Sequence, residues 1–178
     1  KNLIVLEEDS NVNFIEEFYS INVKQKHKSL FSNVTEIYLH QGSTLNFTSI
    51  QSLSNNFINL VNRRSVGKQN SKINWSIGYF GSAFTRSRVD SVLKGYNATT
   101  EDIELVFGEN KQNFDIVSDL SHQSSDTKGT ALTKGVFRDN SNSIFKGMIK
   151  IDEGAKNSEA YLAEHGLLLG KGPRANAI

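Results

Sequence analysis

The residues best suited to acid–base or metal chemistry are four histidines and three groups of neighbouring carboxylates. The histidines, at positions 27, 40, 122 and 165, show none of the HxH, HxxxH or HExxH spacings that place two imidazoles on one metal ion. The acidic groups at residues 7–9, 16–17 and 152–153 could supply the carboxylate pair of a glycoside hydrolase. Neighbouring residues of a strand point to opposite faces, however, so they cannot flank one bond together. A solvated surface explains the acidic groups better.

A glycine-rich stretch at residues 166–172 is similar to a phosphate-binding loop. It has one residue too few before Gly170, and Lys171 is not followed by the Ser or Thr that would hold Mg²⁺. The chain has no cysteine, which excludes a cysteine nucleophile and a cysteine-ligated zinc or iron–sulfur site made by this chain alone. With no catalytic constellation left, the residues favour an interaction or scaffold role over an enzyme.

The elements that would position these residues fit into one domain, because 178 residues is the length of a typical single domain. The net charge of +1 does not predict a nucleic-acid partner, since nucleic-acid binders usually carry a strong basic excess. No apolar run approaches the roughly 18 residues that a membrane helix needs, so no membrane partner is expected.

The residue types indicate β structure. Asn and Ser make up 40 of the 178 residues, and their side chains compete with helix interiors by bonding to nearby backbone. Alternation predicts strands with one apolar face at residues 73–79, through Ile73, Trp75, Ile77 and Tyr79, and another at 103–107, through Ile103, Leu105 and Phe107. Only residues 55–63 carry a pattern that could be helical.

Turn-then-strand units recur along the chain. They begin near Gln41, Gln69, Tyr96 and Asp126, at gaps of 28, 27 and 30 residues, and two further units begin near Asp139 and Glu153, at about half that interval. A period in this range is typical of stacked architectures in which each unit buries its apolar face against its neighbours. An all-β parallel β-helix is the simplest interpretation, and an antiparallel β-sandwich or jelly roll is the alternative.

Read in order, several segments resemble the SufB/SufD family of iron–sulfur cluster assembly proteins. The matching segments are residues 3–12, 33–39, 45–51, 73–75, 93–95, 122–136, 145–151 and 155–169, together with Gly81 and Arg86. The most specific of them are the stretch from His122 to Val136 and the strand from Phe145 to Ile151. The resemblance covers nearly the whole chain and implies a right-handed parallel β-helix.

The resemblance also implies a function and partners. It implies a non-catalytic, cytoplasmic scaffold subunit that works with a SufC-like ABC ATPase and pairs with a SufB/SufD-type subunit as a hetero- or homodimer. No cofactor is expected on this chain alone, and an iron–sulfur cluster is expected transiently at the level of the complex. Family members continue into a Cys- and His-bearing segment and terminal helices. We therefore expect residues 1–178 to be a core fragment, and the absence of cysteine favours the SufD-like branch.

Four residues fall in blocks where family members line the β-helix interior: Gln51, Trp75, His122 and Lys134. We expect these groups to help relay sulfur or iron along the core. The alternatives are that Trp75 only packs the core, that Lys134 extends outward, and that His122 caps a turn. Two other functions remain open, a carbohydrate-active β-helix (polysaccharide lyase or hydrolase) and a structural paralogue without assembly activity.

Overall fold

The computed structural model describes residues 1–21 and 27–178, and in those ranges the chain is all β, with thirteen strands and no helix. The strands are β1 (Asn2–Leu6), β2 (Asn11–Tyr19), β3 (Ser29–Leu39), β4 (Thr44–Ser52), β5 (Phe57–Gly67), β6 (Lys72–Tyr79), β7 (Phe84–Leu93), β8 (Thr99–Gly108), β9 (Asn113–His122), β10 (Lys128–Arg138), β11 (Asn142–Ile151), β12 (Glu159–Leu169) and β13 (Arg174–Ala177).

The strands wind into a two-sided parallel β-helix. The odd-numbered strands form one sheet in the order β1-β3-β5-β7-β9-β11-β13, and the even-numbered strands form the other in the order β12-β10-β8-β6-β4-β2. Every pairing between described strands is parallel. One odd and one even strand make each turn, giving about six turns. The parallel β-helix is therefore confirmed, and the antiparallel sandwich is wrong.

One corner of the β-helix explains the repeat that the sequence shows. Six residues stack there in the left-handed backbone region, with φ between 55° and 69°: Asp9, Gly42, Asn70, Asn97, Asp126 and Asn157. Backbone N–H groups link successive turns, as from Gly42 to the carbonyl of Gln69 at 3.0 Å and from Asn70 to that of Tyr96 at 2.9 Å. Gly, Asn and Asp tolerate this conformation best, which is why such residues recur once per turn.

The helical pattern at residues 55–63 does not produce a helix. Residues from Phe57 onward form β5, which pairs with β3 on one side and β7 on the other. Hydrogen bonds to two neighbouring strands outweigh a weak local preference, because helix propensities amount to less than about 1 kcal/mol per residue.

The apolar face expected at residues 103–107 points to the wrong side of its strand. In β8 the inward positions belong to Asp102 and Glu104, which are 1% and 0% exposed, whereas Leu105 is 45% exposed and Ile103 and Phe107 are half-buried on the outer face. The parallel register with β6 and β10 determines which residues of β8 face inward. A shift of one residue would exchange the two faces completely.

The rest of the interior is packed largely with aromatic and aliphatic side chains. Phe14, Phe47 and Trp75 occupy one inward column of the even-numbered sheet, with ring centroids 5.1 Å and 4.9 Å apart. The face predicted at residues 73–79 is confirmed, since Ile73, Trp75, Ile77 and Tyr79 are all buried. These side chains form the continuous core that stacking of turns requires.

Candidate functional site

The most concentrated chemistry lies inside the β-helix, in a set of buried side chains that we call the interior polar network. Its members come from inward positions on seven strands, β2 and β4 to β9: Glu16, Ser49, Arg63, Tyr79, Ser87, Asp102, Glu104 and Ser118. These positions face inward because alternate residues of each strand do. Parallel stacking then brings side chains that are up to 102 residues apart in sequence, Glu16 and Ser118, into one interior.

Arg63 is the cation of this network and is 1% exposed. Its Nη2 donates hydrogen bonds to Glu16 Oε1 and to Ser49 Oγ, both at 2.8 Å, and Ser49 Oγ donates to Glu16 Oε1 at 2.9 Å. The guanidinium carbon lies 5.7 Å from the centre of the Phe47 ring. Nε and Nη1 have no partner. The ion pair with Glu16 is thus almost fully desolvated, so removing either charge would leave the other without compensation.

Glu104 is the best-satisfied carboxylate of the network. Tyr79 Oη donates to Oε2 at 2.7 Å, and Ser118 Oγ donates to Oε1 at 2.6 Å. The Tyr79 hydroxyl also lies 2.5 Å from Ser87 Oγ. Burial raises the pKa of Glu104, and the hydrogen bonds from Ser118 and Tyr79 oppose that rise. Burial, followed by the charge of Glu104, raises the pKa of Tyr79 well above its ordinary value, so the phenol stays protonated and remains a donor.

Asp102 lies two residues before Glu104 on the same inward face of β8. Both of its carboxyl oxygens are buried and neither has a hydrogen-bond partner. Burial raises the pKa of this carboxyl well above its ordinary value, and the nearby charge of Glu104 raises it further. The nearby Ser118 hydroxyl, which donates its hydrogen bond to Glu104, and the charge of Arg63 lower it. An ionised carboxylate without donors is very unfavourable in a protein interior. The site therefore favours the neutral acid.

Three of the four residues predicted from sequence lie in the interior, and the fourth does not. Gln51 and Trp75 are buried: Gln51 Oε1 accepts a bond from the Gly81 N–H at 3.1 Å, and Trp75 Nε1 donates to Ser91 Oγ at 3.0 Å. Lys134 is exposed on the outer face of β10, so its expected interior position is wrong. Its neighbours Thr133 and Gly135 take the inward positions, because the register of β10 with β8 fixes the alternation.

His122 is fully buried at the end of β9. Its Nδ1 lies 2.8 Å from Thr127 Oγ1, which in turn lies 2.8 Å from Ser158 Oγ, and its Nε2 has no partner. Burial lowers the pKa of His122, which favours a neutral imidazole. The hydrogen bonds of Gln51, Trp75 and His122 go to separate partners, so no direct hydrogen bond joins these three candidates. Their relay role stays a prediction.

Sequence reasoning missed the interior polar network, although one signal for it was present. Asp102 and Glu104 are spaced by two, as residues on one face of a strand must be, and they continue with Thr100 and Val106. The apolar residues between them form an equally regular series. Hydrophobicity alone selected the wrong series, because it ignores the buried partners that neighbouring turns supply.

The outer face of the odd-numbered sheet carries stacked charges that are largely paired with one another. Arg64 lies 3.3 Å from Asp90, and Arg88 lies 2.6 Å from Asp119. Arg64, Arg88 and Asp90 contribute to a shallow groove of about 300 Å³. A polysaccharide-cleaving β-helix would also stack charges along an exposed groove, so this face is where that alternative can be tested.

Among the residues for which coordinates are described, no group of three or more His, Cys, Asp or Glu side chains is arranged to hold a metal ion. In the same part of the chain, we find no helix with the length and apolar character needed to span a bilayer.

Comparison with known proteins gives a consistent result. The family model for the SUF system FeS cluster assembly SufBD core domain matches residues 1–178. An iron–sulfur cluster assembly SufBD family protein of Staphylococcus saprophyticus is 27% identical over 173 residues, covering 95% of this chain and 36% of that protein. The iron–sulfur cluster assembly protein SufD of Bacillus subtilis is 28% identical over 177 residues, covering 98% of this chain and 40% of that protein. The chain therefore spans less than half the length of these relatives.

Proposed function

The chain belongs to the SufB/SufD family, and from this premise we propose that it is a non-catalytic scaffold subunit of an iron–sulfur cluster assembly complex. The observation that carries the proposal is the match of all 178 residues to the SufBD core domain. The names of the relatives in Bacillus and Staphylococcus support a role in iron–sulfur cluster assembly. The absence of cysteine in this chain favours a SufD-like member.

The position of the reactive groups supports a scaffold over an enzyme. The groups whose pKa values are raised most by burial, Tyr79 and Asp102, are each 1% exposed, and Glu104 is fully buried. A catalytic acid or base must come within hydrogen-bond reach of its substrate. Side chains closed inside the β-helix stabilise or organise the core, whereas they do not reach a substrate in solvent.

We propose two partners, a SufC-like ABC ATPase and a second SufB/SufD-type subunit, which would form a hetero- or homodimer with this one. The iron–sulfur cluster is the product that the complex builds and passes on, and it is not a resident cofactor of this chain. Localisation in the cytoplasm is part of the same proposal.

The test is reconstitution of the complex from the complete protein, the ATPase and the paired subunit under anaerobic conditions. We expect the ATPase to co-purify with the complete protein, and iron and sulfide content to fall when this subunit is left out. Unchanged iron and sulfide would contradict the assembly role and favour a structural paralogue. Release of reducing ends from polyuronates by the purified protein would instead support the carbohydrate-active alternative.

The relay role is a separate proposal that now rests on Gln51, Trp75 and His122. His122 gives the sharpest test, because a turn-capping role and a relay role need different atoms of its ring. His122→Asn can keep a hydrogen bond toward Thr127 while it removes the unpartnered Nε2. Lys134→Ala, on the outer face, is the control.

A relay predicts that His122→Asn and His122→Ala both lower cluster assembly in the reconstituted complex while Lys134→Ala does not. A capping role predicts that His122→Asn restores both folding and assembly. Normal assembly by a folded His122→Ala variant would reject the relay.

A further inference from the structure

The rung of β8 inside the β-helix contains a polar arrangement that the scaffold role does not require. Asp102 and Glu104 are adjacent inward residues of one strand, and both are fully enclosed. Their column neighbours in the preceding turn are Trp75 and Ile77, and those in the following turn are Ala131 and Thr133. Two carboxyl groups therefore lie in an enclosed interior whose neighbours in the adjacent turns of the same sheet carry no charge.

The two carboxyl groups have different surroundings. Glu104 accepts hydrogen bonds on both oxygens, from Tyr79 and Ser118, whereas both oxygens of Asp102 are without a donor. A carboxylate with two donors is stabilised as the anion, and one without donors is destabilised as the anion. Such different environments push the pKa values of two carboxyl groups apart, so that one keeps its proton while the other is ionised.

If both Asp102 and Glu104 were ionised, the charged side chains facing them from neighbouring strands would not neutralise both. Arg63 of β5 is the cation whose field reaches both carboxyls, and its Nη2 is already bonded to Glu16 of β2. The other side chains facing the pair are uncharged or lie two turns away: Tyr79 from β6, Ser87 from β7, Ser118 from β9, Ala131 and Thr133 from β10, and Glu164 of β12 beyond Thr133. One cation thus faces three carboxyl groups, counting Glu16.

We propose that Asp102 and Glu104 form a buried proton-binding site in which Asp102 carries a proton at neutral pH while Glu104 remains ionised. The ligand of this site is a proton taken from solvent, and no other co-reactant is needed. Loss of that proton leaves two carboxylates two residues apart on the same buried face of β8. Water must then enter, or β8 must separate from β6 and β10, so the rung is also a pH-sensitive point of the stack. This proposal does not depend on the proposed function.

Infrared spectroscopy of the complete protein, made with isotope-labelled aspartate, tests the proposal directly, because a protonated carboxyl has a C=O stretch that a carboxylate lacks. We expect one protonated aspartate near neutral pH in the wild-type protein. Asp102→Asn should remove this signal. The control Asp90→Asn, which removes an outward carboxylate paired with Arg64 on the neighbouring β7, should keep it. A wild-type spectrum in which all aspartates are ionised near neutral pH would overturn the proposal, as would a signal that persists in Asp102→Asn.

A second variant keeps the test decisive if Asp102→Asn does not fold. Glu104→Gln retains an acceptor for Tyr79 or Ser118 but removes the neighbouring negative charge. The Asp102 signal should remain in this variant, because burial is the largest cause of its protonation, and it should disappear at a lower pH than in the wild type. An unchanged or higher titration midpoint would show that the two residues do not act as a pair.

Discussion

One inward column of the even-numbered sheet holds aromatic rings in some turns and a carboxyl group in another. Phe14, Phe47 and Trp75 fill one column with stacked rings in the first three turns, and Asp102 occupies that column in the fourth. The rings pack against one another, and the indole N–H of Trp75 donates a hydrogen bond to Ser91 Oγ. The carboxyl of Asp102 has no partner.

Aromatic and ionisable side chains at an inward position of the β-helix have different requirements. An aromatic side chain at this position is stabilised by contact with the ring of the adjacent turn, as Phe14, Phe47 and Trp75 show. An ionisable rung needs donors or countercharges at fixed positions, which only particular strands can provide. Glu104 receives donors from β6 and β9, whereas the oxygens of Asp102 receive none, and protonation removes the charge that would otherwise lack a donor.

The largest expected effect comes from opening the aromatic column. Trp75→Ala removes the largest fully buried side chain and the indole N–H that donates to Ser91 Oγ. We expect the free energy of unfolding to fall by roughly 3–5 kcal/mol, as for other buried Trp or Phe truncations. Chemical denaturation of the complete protein measures this loss. Trp75→Phe, which keeps a ring between Phe47 and the next turn, should lose much less, and equal losses in the two variants would contradict the packing explanation.

Removal of the buried cation should have the next largest effect. Arg63→Ala leaves Glu16 as an unpaired, mostly buried carboxylate, and breaking such a pair costs about 3 kcal/mol. Arg64→Ala is the matched control, because this neighbouring arginine points outward, is more than half exposed and pairs with Asp90 on the surface. The control should lose less than about 1 kcal/mol. Similar denaturation midpoints for the two variants would show that the interior pair is not special.

The buried pair of Asp102 and Glu104 predicts a smaller effect, a pH dependence of the free energy of unfolding. The pKa of Asp102 is raised in the folded protein, so the group binds its proton more tightly there than in the unfolded chain. Its stabilising contribution is complete below the unfolded value of about 4 and is lost as the pH rises through the folded-state pKa. We expect the stability of the wild type relative to Asp102→Asn to fall with rising pH, by at most about 1.4 kcal/mol per pH unit. Parallel pH curves for the two proteins would contradict this.

The smallest effect is expected on the outer face of the β-helix. Lys134→Ala should change the free energy of unfolding by less than about 0.5 kcal/mol, because the side chain is exposed and no ion pair has been found for it among the described residues. The same denaturation series measures it. A loss comparable to that of Arg63→Ala would mean that Lys134 reaches the interior after all.

Local patterns predicted a stacked β architecture, and the parallel strand pairing then decided against the antiparallel alternative. Gly, Asn and Asp at intervals of 27–33 residues mark corners that need a left-handed backbone, and the strands between them follow from alternation. The inward face of β6 was predicted correctly for the same reason, since its apolar series contains the large residues Trp75 and Tyr79. The segments that resemble the SufB/SufD family also identified the family that the comparisons support.

Local patterns failed where two strand faces were nearly equivalent. Hydrophobicity placed Ile103 and Leu105 inside and left Asp102 and Glu104 outside, although the reverse is found. The alternation within β8 is the same for either choice. The inward position of Glu104 is favoured by Tyr79 and Ser118, which donate hydrogen bonds to it from other strands.

The amino-acid sequence by itself indicated a stacked β architecture and its repeat, because these depend on backbone preferences that recur along the chain, and its segments identified the family. Only the tertiary structure decided which groups meet in the interior, why Lys134 lies outside, and why Asp102 has no donor. Those outcomes depend on the register between strands that are 27 or more residues apart, and a shift of one position would reverse every inward and outward assignment.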